Sequence, residues 1–247
     1  MALLVSNARS RRLVVTGAQP LNDILPWANS WFLCGGNNLG TPGTFIDESF
    51  KAWTLTTNSG AYNEAGAAKF GAGGARCAAS NDNVSATVDP HDIDLGDFLI
   101  GSWFKTSDAG ATLRGIIQIT GGAANGGLFC DIGMNVSKKF YGRMNGGVPD
   151  SSINSGITVN DGAWHFGAMS RVSGVTRLFL DNDHVGTMFN NVNHESDTPN
   201  DGIRWGSVSS AVSSQSWNGD LDEGIITVGW GVAPEDYAIP DAEFARS

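Results

Sequence analysis

Carboxylates cluster in three short runs of this 247-residue chain: Asp89-Pro-His-Asp-Ile-Asp94, Asp181-Asn-Asp183 and Asp220-Leu-Asp-Glu223. Glycoside hydrolysis needs two acids projecting from one face, one as proton donor and one as nucleophile or base. On a strand Asp220 and Asp222 share a face while Glu223 points away, because side chains alternate with period two. That pair stands in no recognisable catalytic motif, and its plain use is to pair with neighbours or to line a turn. Loop oxygens also suit calcium, yet none of the three runs has the order of an EF-hand, with its sharp-turn glycine and distal glutamate. The histidines His91, His165, His184 and His194 fall in separate elements without a Gly-x-Ser-x-Gly elbow. No nucleophilic triad is indicated, and His165 reads as a hydrogen-bonded, partly buried side chain.

Eight tryptophans form the other chemically informative set. Most fall inside predicted strands, where a large indole packs between sheets. Trp31, Trp53 and Trp230 are the least securely inward-facing, so a sugar-stacking platform is sought there first.

These residues are to be positioned by strands. Asp97 to Thr106 carries a long apolar run with a central Trp103 and reads as a well-buried strand. Arg114 to Ile119, Leu128 to Ile132 and Lys139 to Met144 follow as an antiparallel meander broken by Gly, Asn and Ser turns. In Trp164 to Arg171 the alternation puts Trp164, Phe166 and Ala168 on one face, the expected core face, and His165, Gly167 and Met169 on the other. Thr176 to Asp181 and His184 to Met188 make a tight hairpin, and Gly202 to Gly206 and Trp217 to Gly229 are the last strands. Phe45 to Leu55 and Ala67 to Phe70 also read as strands. Trp27 to Leu33 fits either a strand or a turn of helix.

Composition bounds the function. Gly at 33 residues and a charged fraction of 16% describe many turns joining short strands, and the length suits one all-β domain. A net charge of −10 and a pI near 4.7 disfavour a domain that grips a nucleic acid backbone through clustered cations. The start is basic, where Arg9, Arg11 and Arg12 precede any acid; residues 1–22 read either as a solvated tail or as an arm that docks on an acidic neighbour, and the docking arm is the expectation taken forward. Cys34, Cys77 and Cys130 are too widely spaced for a zinc site or a disulfide framework and are expected as buried thiols. No signal-like segment is visible, and no apolar stretch approaches the ~20 residues that would span a bilayer.

Asp161-Gly-Ala-Trp-His165, Arg177-Leu-Phe-Leu-Asp181 and Trp217-Asn-Gly-Asp-Leu-Asp-Glu223, followed by Ala233 to Tyr237, resemble in that order the laminin-G-like branch of the concanavalin A-like jelly rolls. Asn182 stands where that family usually has Gly; Asn also tolerates positive φ, so the hairpin is expected to survive. The E-x-D-x-x-E arrangement of the laminarinase-like hydrolases is absent. The resemblance implies an antiparallel β-sandwich over residues 23–247 with a short closing helix. It also implies one structural calcium ion, with Asp222 and the early acid Asp47 as its ligands.

The expected function is non-catalytic attachment. Cellular domains of this type are mostly exported inside longer chains, and a free-standing, unexported one fits a bacteriophage virion protein, decorating a capsid or forming part of a tail or fibre. Its partners would be other virion proteins or copies of itself, together with a cell-surface glycan, and neither nucleic acid nor a membrane interior. A secreted carbohydrate-active enzyme and a free-standing lectin are the alternatives.

Overall fold

The computed structural model describes residues 18–36, 44–87, 96–120, 130–144, 151–189, 202–208 and 215–245. Arg9, Arg11 and Arg12, and the acid run at 89–94, lie outside them. The strands are β1 (Gln19–Pro20), β2 (Ser30–Cys34), β3 (Thr56–Asn58), β4 (Tyr62–Glu64), β5 (Gly74–Cys77), β6 (Asn83–Thr87), β7 (Phe98–Lys105), β8 (Arg114–Thr120) and β9 (Cys130–Met134). They continue with β10 (Lys139–Met144), β11 (Ser151–Thr158), β12 (Trp164–Val172), β13 (Val175–Leu180), β14 (Asp183–Phe189), β15 (Gly202–Trp205), β16 (Gly219–Val228) and β17 (Tyr237–Ala238). A one-turn helix α1 (Leu21–Ile24) and short 3-10 turns complete the described elements.

Two antiparallel sheets face each other. One has seven strands in the order β11-β10-β9-β8-β15-β6-β3; the other has eight, in the order β14-β13-β12-β7-β16-β5-β4, with β2 also on β16. The long β16 pairs through its first residues with β5 and through its later ones with β2, so both lie along the same edge. Alternation sends Phe98, Ile100 and Phe104 of β7 inward, to meet Ile117, Ile132, Phe140 and Trp205 of the other sheet. The Trp205 indole N–H crosses this core to the Ser102 hydroxyl (3.0 Å), which donates to the Asp222 carbonyl (3.0 Å). This polar bridge in an apolar layer thus ties the sheets together with its donors satisfied.

A second apolar cluster covers the outer face of the eight-stranded sheet. There Leu99 and Trp103 of β7, Phe166 and Ala168 of β12, Phe179 and Ile225 are buried beneath Leu21, Val232, Tyr237 and Phe244. Both chain ends build this strap: β1 pairs in parallel with β17, and Tyr237 stacks on Phe179 at 4.1 Å between ring centroids. Leu21 and Asn22, expected in the arm, therefore belong to the packed domain. Burial on both faces explains why β7 reads as a continuous apolar run. It also reverses the assignment for β12: Phe166 and Ala168 lie under the strap, while Gly167 and Met169 point between the sheets. Trp164, at the end of the strand, is only half-buried.

Other departures have local causes. Residues 45–55 form a turn rather than a strand, because the buried Asp47 carboxylate gathers the N–H groups of Leu33, Ser49 and Trp53 and the Ser49 hydroxyl. Ala65–Ala67 is a 3-10 turn leading into an irregular segment, where a strand was expected at 67–70. Residues 27–34 do both things allowed: a 3-10 turn over Trp27–Asn29 runs into β2. In the β13–β14 hairpin it is Asp181, not Asn182, that takes positive φ (53°). Asn182 instead accepts the Ile239 N–H and so holds the tail (3.2 Å).

The strap is expected to stabilise the domain as a core does. Phe244→Ala should cost about 3–5 kcal/mol, since a fully buried phenyl is deleted, and lower the melting temperature by roughly 6–20 °C for a domain of this size. Trp164→Ala should cost far less. Thermal unfolding of the two variants side by side checks the assignment, and equal losses would contradict it.

Candidate functional site

At one end of the eight-stranded sheet the strap stops short and an open cleft of about 530 Å³ remains, lined among others by Arg76, Lys105, Ser107, Asp108, Asn218 and Asp220. Three of these lining residues, Arg76, Lys105 and Asp220, belong to a row set by strand register. Trp164 lies opposite Lys105, Lys105 opposite Asp220, Asp220 opposite Arg76, and Arg76 opposite Tyr62. These five residues form one row across β12, β7, β16, β5 and β4, on the outer face. At ~4.8 Å per strand the row is about 19 Å long.

The middle of the row is an ion-pair cluster. Asp220 is buried between the Arg76 guanidinium, its direct partner, and the Lys105 ammonium (3.4 Å), while Glu64 meets Arg76 from the outside (3.4 Å). Arg76 and Lys105 keep a third or more of their side-chain surface in solvent. The ends are aromatic: Lys105 Nζ lies 5.7 Å from the Trp164 ring, and Tyr62 is 38% exposed. Gly219 takes φ +152°, and a Cβ there would collide with the Lys105 carbonyl. Only glycine lets β16 enter the row at this point.

One wall is a rigid loop. The Thr106 hydroxyl donates to the Asn218 carbonyl (2.5 Å) and accepts the Asp108 N–H (2.9 Å). Asp108 accepts from Gly110 N–H (3.1 Å), Arg114 Nε (2.7 Å) and Asn218 Nδ2 (3.4 Å). Burial alone would raise the Asp108 carboxyl, but the Gly110 N–H and the Arg114 guanidinium outweigh it and hold it below the usual carboxylate range. An acid held ionised cannot serve as proton donor at neutral pH. Asp220 is likewise committed to two cations. Among its described lining residues the cleft therefore presents hydrogen-bonding groups, and both of its acids, Asp108 and Asp220, are already engaged by cations.

The expected site residues are distributed differently. Trp31 is 6% exposed, packed edge-on to Trp53 (6.4 Å between centroids) with the Lys51 ammonium over its ring at 4.3 Å. A ring so covered offers no stacking face. Trp53 is half-buried against the inter-sheet core, whereas Trp230 packs into the outer-face cluster, so the three form no platform. Trp164 and Tyr62, which end the row that runs through the cleft residues Lys105, Asp220 and Arg76, are recognisable only through their registers.

Asp47 and Asp222 do not fit a shared calcium ion. Both Asp47 oxygens accept two hydrogen bonds each. Asp222 Oδ2 accepts the Lys69 and Phe70 N–H groups (2.8 and 2.9 Å), and Oδ1 the Glu223 N–H (2.9 Å). The positive ends of these N–H dipoles stand where a cation would have to coordinate. Among the described residues no group of three or more His, Cys, Asp or Glu side chains is arranged to hold a metal.

The face of Glu223 also differs from simple alternation. β16 slips against β7 between Asp222 and Ile225, and Glu223 takes positive φ (48°). This bulge turns Glu223 toward the strap, where it accepts the Phe244 N–H (2.7 Å). Burial, reinforced by the neighbouring Glu223 charge, pushes the Asp222 carboxyl up to about 8 against the pull of its N–H donors. His165 sits as expected, half-buried between Asp181 (2.9 Å) and Asp161 (3.1 Å); the Asp181 hydrogen bond raises it above the ordinary imidazole value. All three cysteines are buried free thiols.

Comparison with known proteins agrees with this architecture. The family profile described as the concanavalin A-like lectin/glucanases superfamily (Laminin_G_3) matches residues 78–226, more than half of the chain. No curated protein sequence matches. Among solved structures, one titled for the dependence of botulinum neurotoxin type C cell entry on two ganglioside molecules is similar at a TM-score of 0.62 and 12% identity, over 87% of this chain and 50% of that one. The binding domain of botulinum neurotoxin DC in complex with SialylT is similar at 0.58 and 11%, over 85% and 49%. The binding domain of Paraclostridial Mosquitocidal Protein 1 is similar at 0.57 and 13%, over 84% and 50%. The chain spans about half the length of these structures, and at such identities the likeness is one of fold. The chain belongs to the concanavalin A-like lectin/glucanases superfamily.

A pH dependence follows from Asp222. Its folded pKa lies above the unfolded value of about 3.9, so the stability tied to its proton is full below pH 4 and is lost as pH rises through about 8. His165 acts with the same sign, since its folded value is also raised. Between pH 6 and 9 the wild type should lose on the order of 2 kcal/mol, and Asp222→Asn should flatten most of that slope. Melting curves across this range check it, and the difference between variant and wild type should be the same in calcium and in EDTA.

Proposed function

We propose that this concanavalin A-like domain is a non-catalytic attachment domain that binds a glycan in the cleft above the Trp164–Lys105–Asp220–Arg76–Tyr62 row. The row itself carries the reading. Sugars offer apolar C–H faces and many hydroxyls, and this surface offers aromatic rings at its ends with fixed donors and acceptors between them. Internal pairing keeps Arg76, Asp220 and Lys105 in place before a ligand arrives, which limits the entropy lost on binding. The titles of similar structures, which name binding domains, SialylT and gangliosides, support a binding role over hydrolysis.

The setting we propose is the surface of a bacteriophage particle, with other virion proteins or further copies of the chain as partners. Its support is sequence-level: Arg9, Arg11 and Arg12 form a basic arm on a chain whose net charge is −10, suited to an acidic neighbour. Detection of the chain in purified particles by mass spectrometry tests this setting separately from glycan binding.

A glycan array, followed by calorimetry on the best ligand, tests the cleft. Lys105→Ala and Trp164→Ala should each weaken binding by about tenfold, the loss of one good polar or aromatic contact of ~1–1.5 kcal/mol, with the fold retained. No reducing ends should be released from β-glucans. Turnover that disappears in Asp220→Asn would instead establish an enzyme, and an array without any ligand would dismiss the lectin reading.

A further inference from the structure

The outer face of the seven-stranded sheet carries a second register-defined row, independent of the cleft. Arg143 of β10 lies opposite Asp131 of β9, Asp131 opposite Gln118 of β8, Gln118 opposite Arg204 of β15, Arg204 opposite Ser85 of β6, and Ser85 opposite Thr56 of β3. Inward neighbours fix the facing: Ile203 and Trp205 on either side of Arg204 belong to the inter-sheet core.

The row contains two arginines in unlike states. Arg143 forks onto Asp131 through Nε (2.9 Å) and Nη2 (3.1 Å), and Tyr141 completes that carboxylate with its hydroxyl (2.6 Å). Arg204 has no such partner among the described residues: its contact is a long one from Nη1 to Gln118 Oε1 (3.4 Å). The Gln118 amide is itself fixed, because Nε2 donates to the Val208 carbonyl (2.8 Å). Arg204 is half-buried, and that burial lowers its pKa, with no opposing acid among the described residues. A guanidinium kept partly out of water without a counter-charge is costly, and its planar fork matches a carboxylate.

We infer that Arg204 is the recognition point of a second binding site, whose ligand is a carboxylate-bearing sugar. The ligand supplies to Arg204 the acid that Asp131 supplies to Arg143. The rest of the row favours a glycan over an acidic peptide: Ser85, Thr56 and Asn58, which donates to the Ser85 hydroxyl (2.9 Å), offer neutral polar groups within about two strand spacings, ~10 Å, of Arg204. Among the described residues the exposed large apolar side chains, Ile46, Phe50, Tyr62, Val136 and Ile157, are none of them members of this row. A peptide interface would be expected to use such anchors.

The test titrates the intact protein with oligogalacturonate and with a sialylated oligosaccharide, while following the Arg204 Nε–Hε resonance and the dissociation constant. At least one of these acids should shift that resonance saturably. Its carboxyl-reduced counterpart should bind at least tenfold more weakly, Arg204→Gln should lose about tenfold or more, and Arg204→Lys should fall between. Lys105→Ala should leave this binding unchanged, which separates it from the cleft. The inference is overturned if neither acid moves the Arg204 resonance, if the reduced sugar binds equally well, or if free acetate binds as tightly as the oligosaccharide. Tighter binding of a glutamate-rich peptide would assign the site to a protein instead. The resonance shift is read on the wild type, so a poorly folding variant does not leave the question open.

Discussion

One extra residue in β16 places two carboxylates side by side beneath the strap, and much of the molecule is organised around them. Asp222 draws the backbone of Lys69 and Phe70 onto the sheet, Glu223 draws the backbone of Phe244, and both acids are fully buried. Buried neighbouring acids are destabilising unless donors surround them, and left-handed backbone at Glu223 costs roughly a further 1–2 kcal/mol. What this arrangement supplies is register. The bulge allows Gly224 to face inward against Trp205 and Phe32, where any Cβ would collide, while Ile225 returns to the outer face. An apolar pair at 222 and 223 would avoid the charge cost but would hold neither loop, consistent with buried polar groups serving specificity more than stability.

The same strand then determines where the sheet is left open. Asp222 lies opposite Trp103 under the covered part of the outer face, and two residues earlier Asp220 lies opposite Lys105 in the uncovered part. The step from apolar cluster to polar cleft is one period of a strand. Thr106, Asp108 and Asn218 stiffen the adjoining loop through short hydrogen bonds, so the cleft wall is set by the scaffold rather than by a ligand. Fixed polar groups in a row that ends on partly exposed aromatic rings suit recognition.

The strands β7, β12 and the β13–β14 hairpin were legible in the sequence for a physical reason: each is an apolar run rich in aromatic or branched side chains and bounded by turn residues. Faces were less legible. Both sides of β12 are apolar because the strap covers the outer one, so alternation identified two sets without saying which lies between the sheets. The bulge at Glu223 defeats alternation outright. Asp47 was singled out as a metal ligand from resemblance, yet its oxygens do the work of a turn, drawing in donors from Leu33 to Trp53 that no local pattern connects. Neither row could be read in advance, because Trp164, Lys105, Asp220, Arg76 and Tyr62 come from five strands and meet only through pairing.

Charge sets the two polar surfaces against the molecule that carries them. A net charge of −10 repels anions at long range, but at physiological salt this field decays over a Debye length of ~8 Å. A pair formed at a half-buried guanidinium is screened much less than that field, because solvent ions cannot come between the partners. Rising salt therefore removes the long-range repulsion faster than it weakens a contact at Arg204. A nucleic acid binder shows the opposite trend, since its affinity comes from many exposed cations and counterion release. On a chain this acidic, an acidic sugar at the proposed Arg204 site would depend on one locally fitted guanidinium rather than on attraction by the surface as a whole.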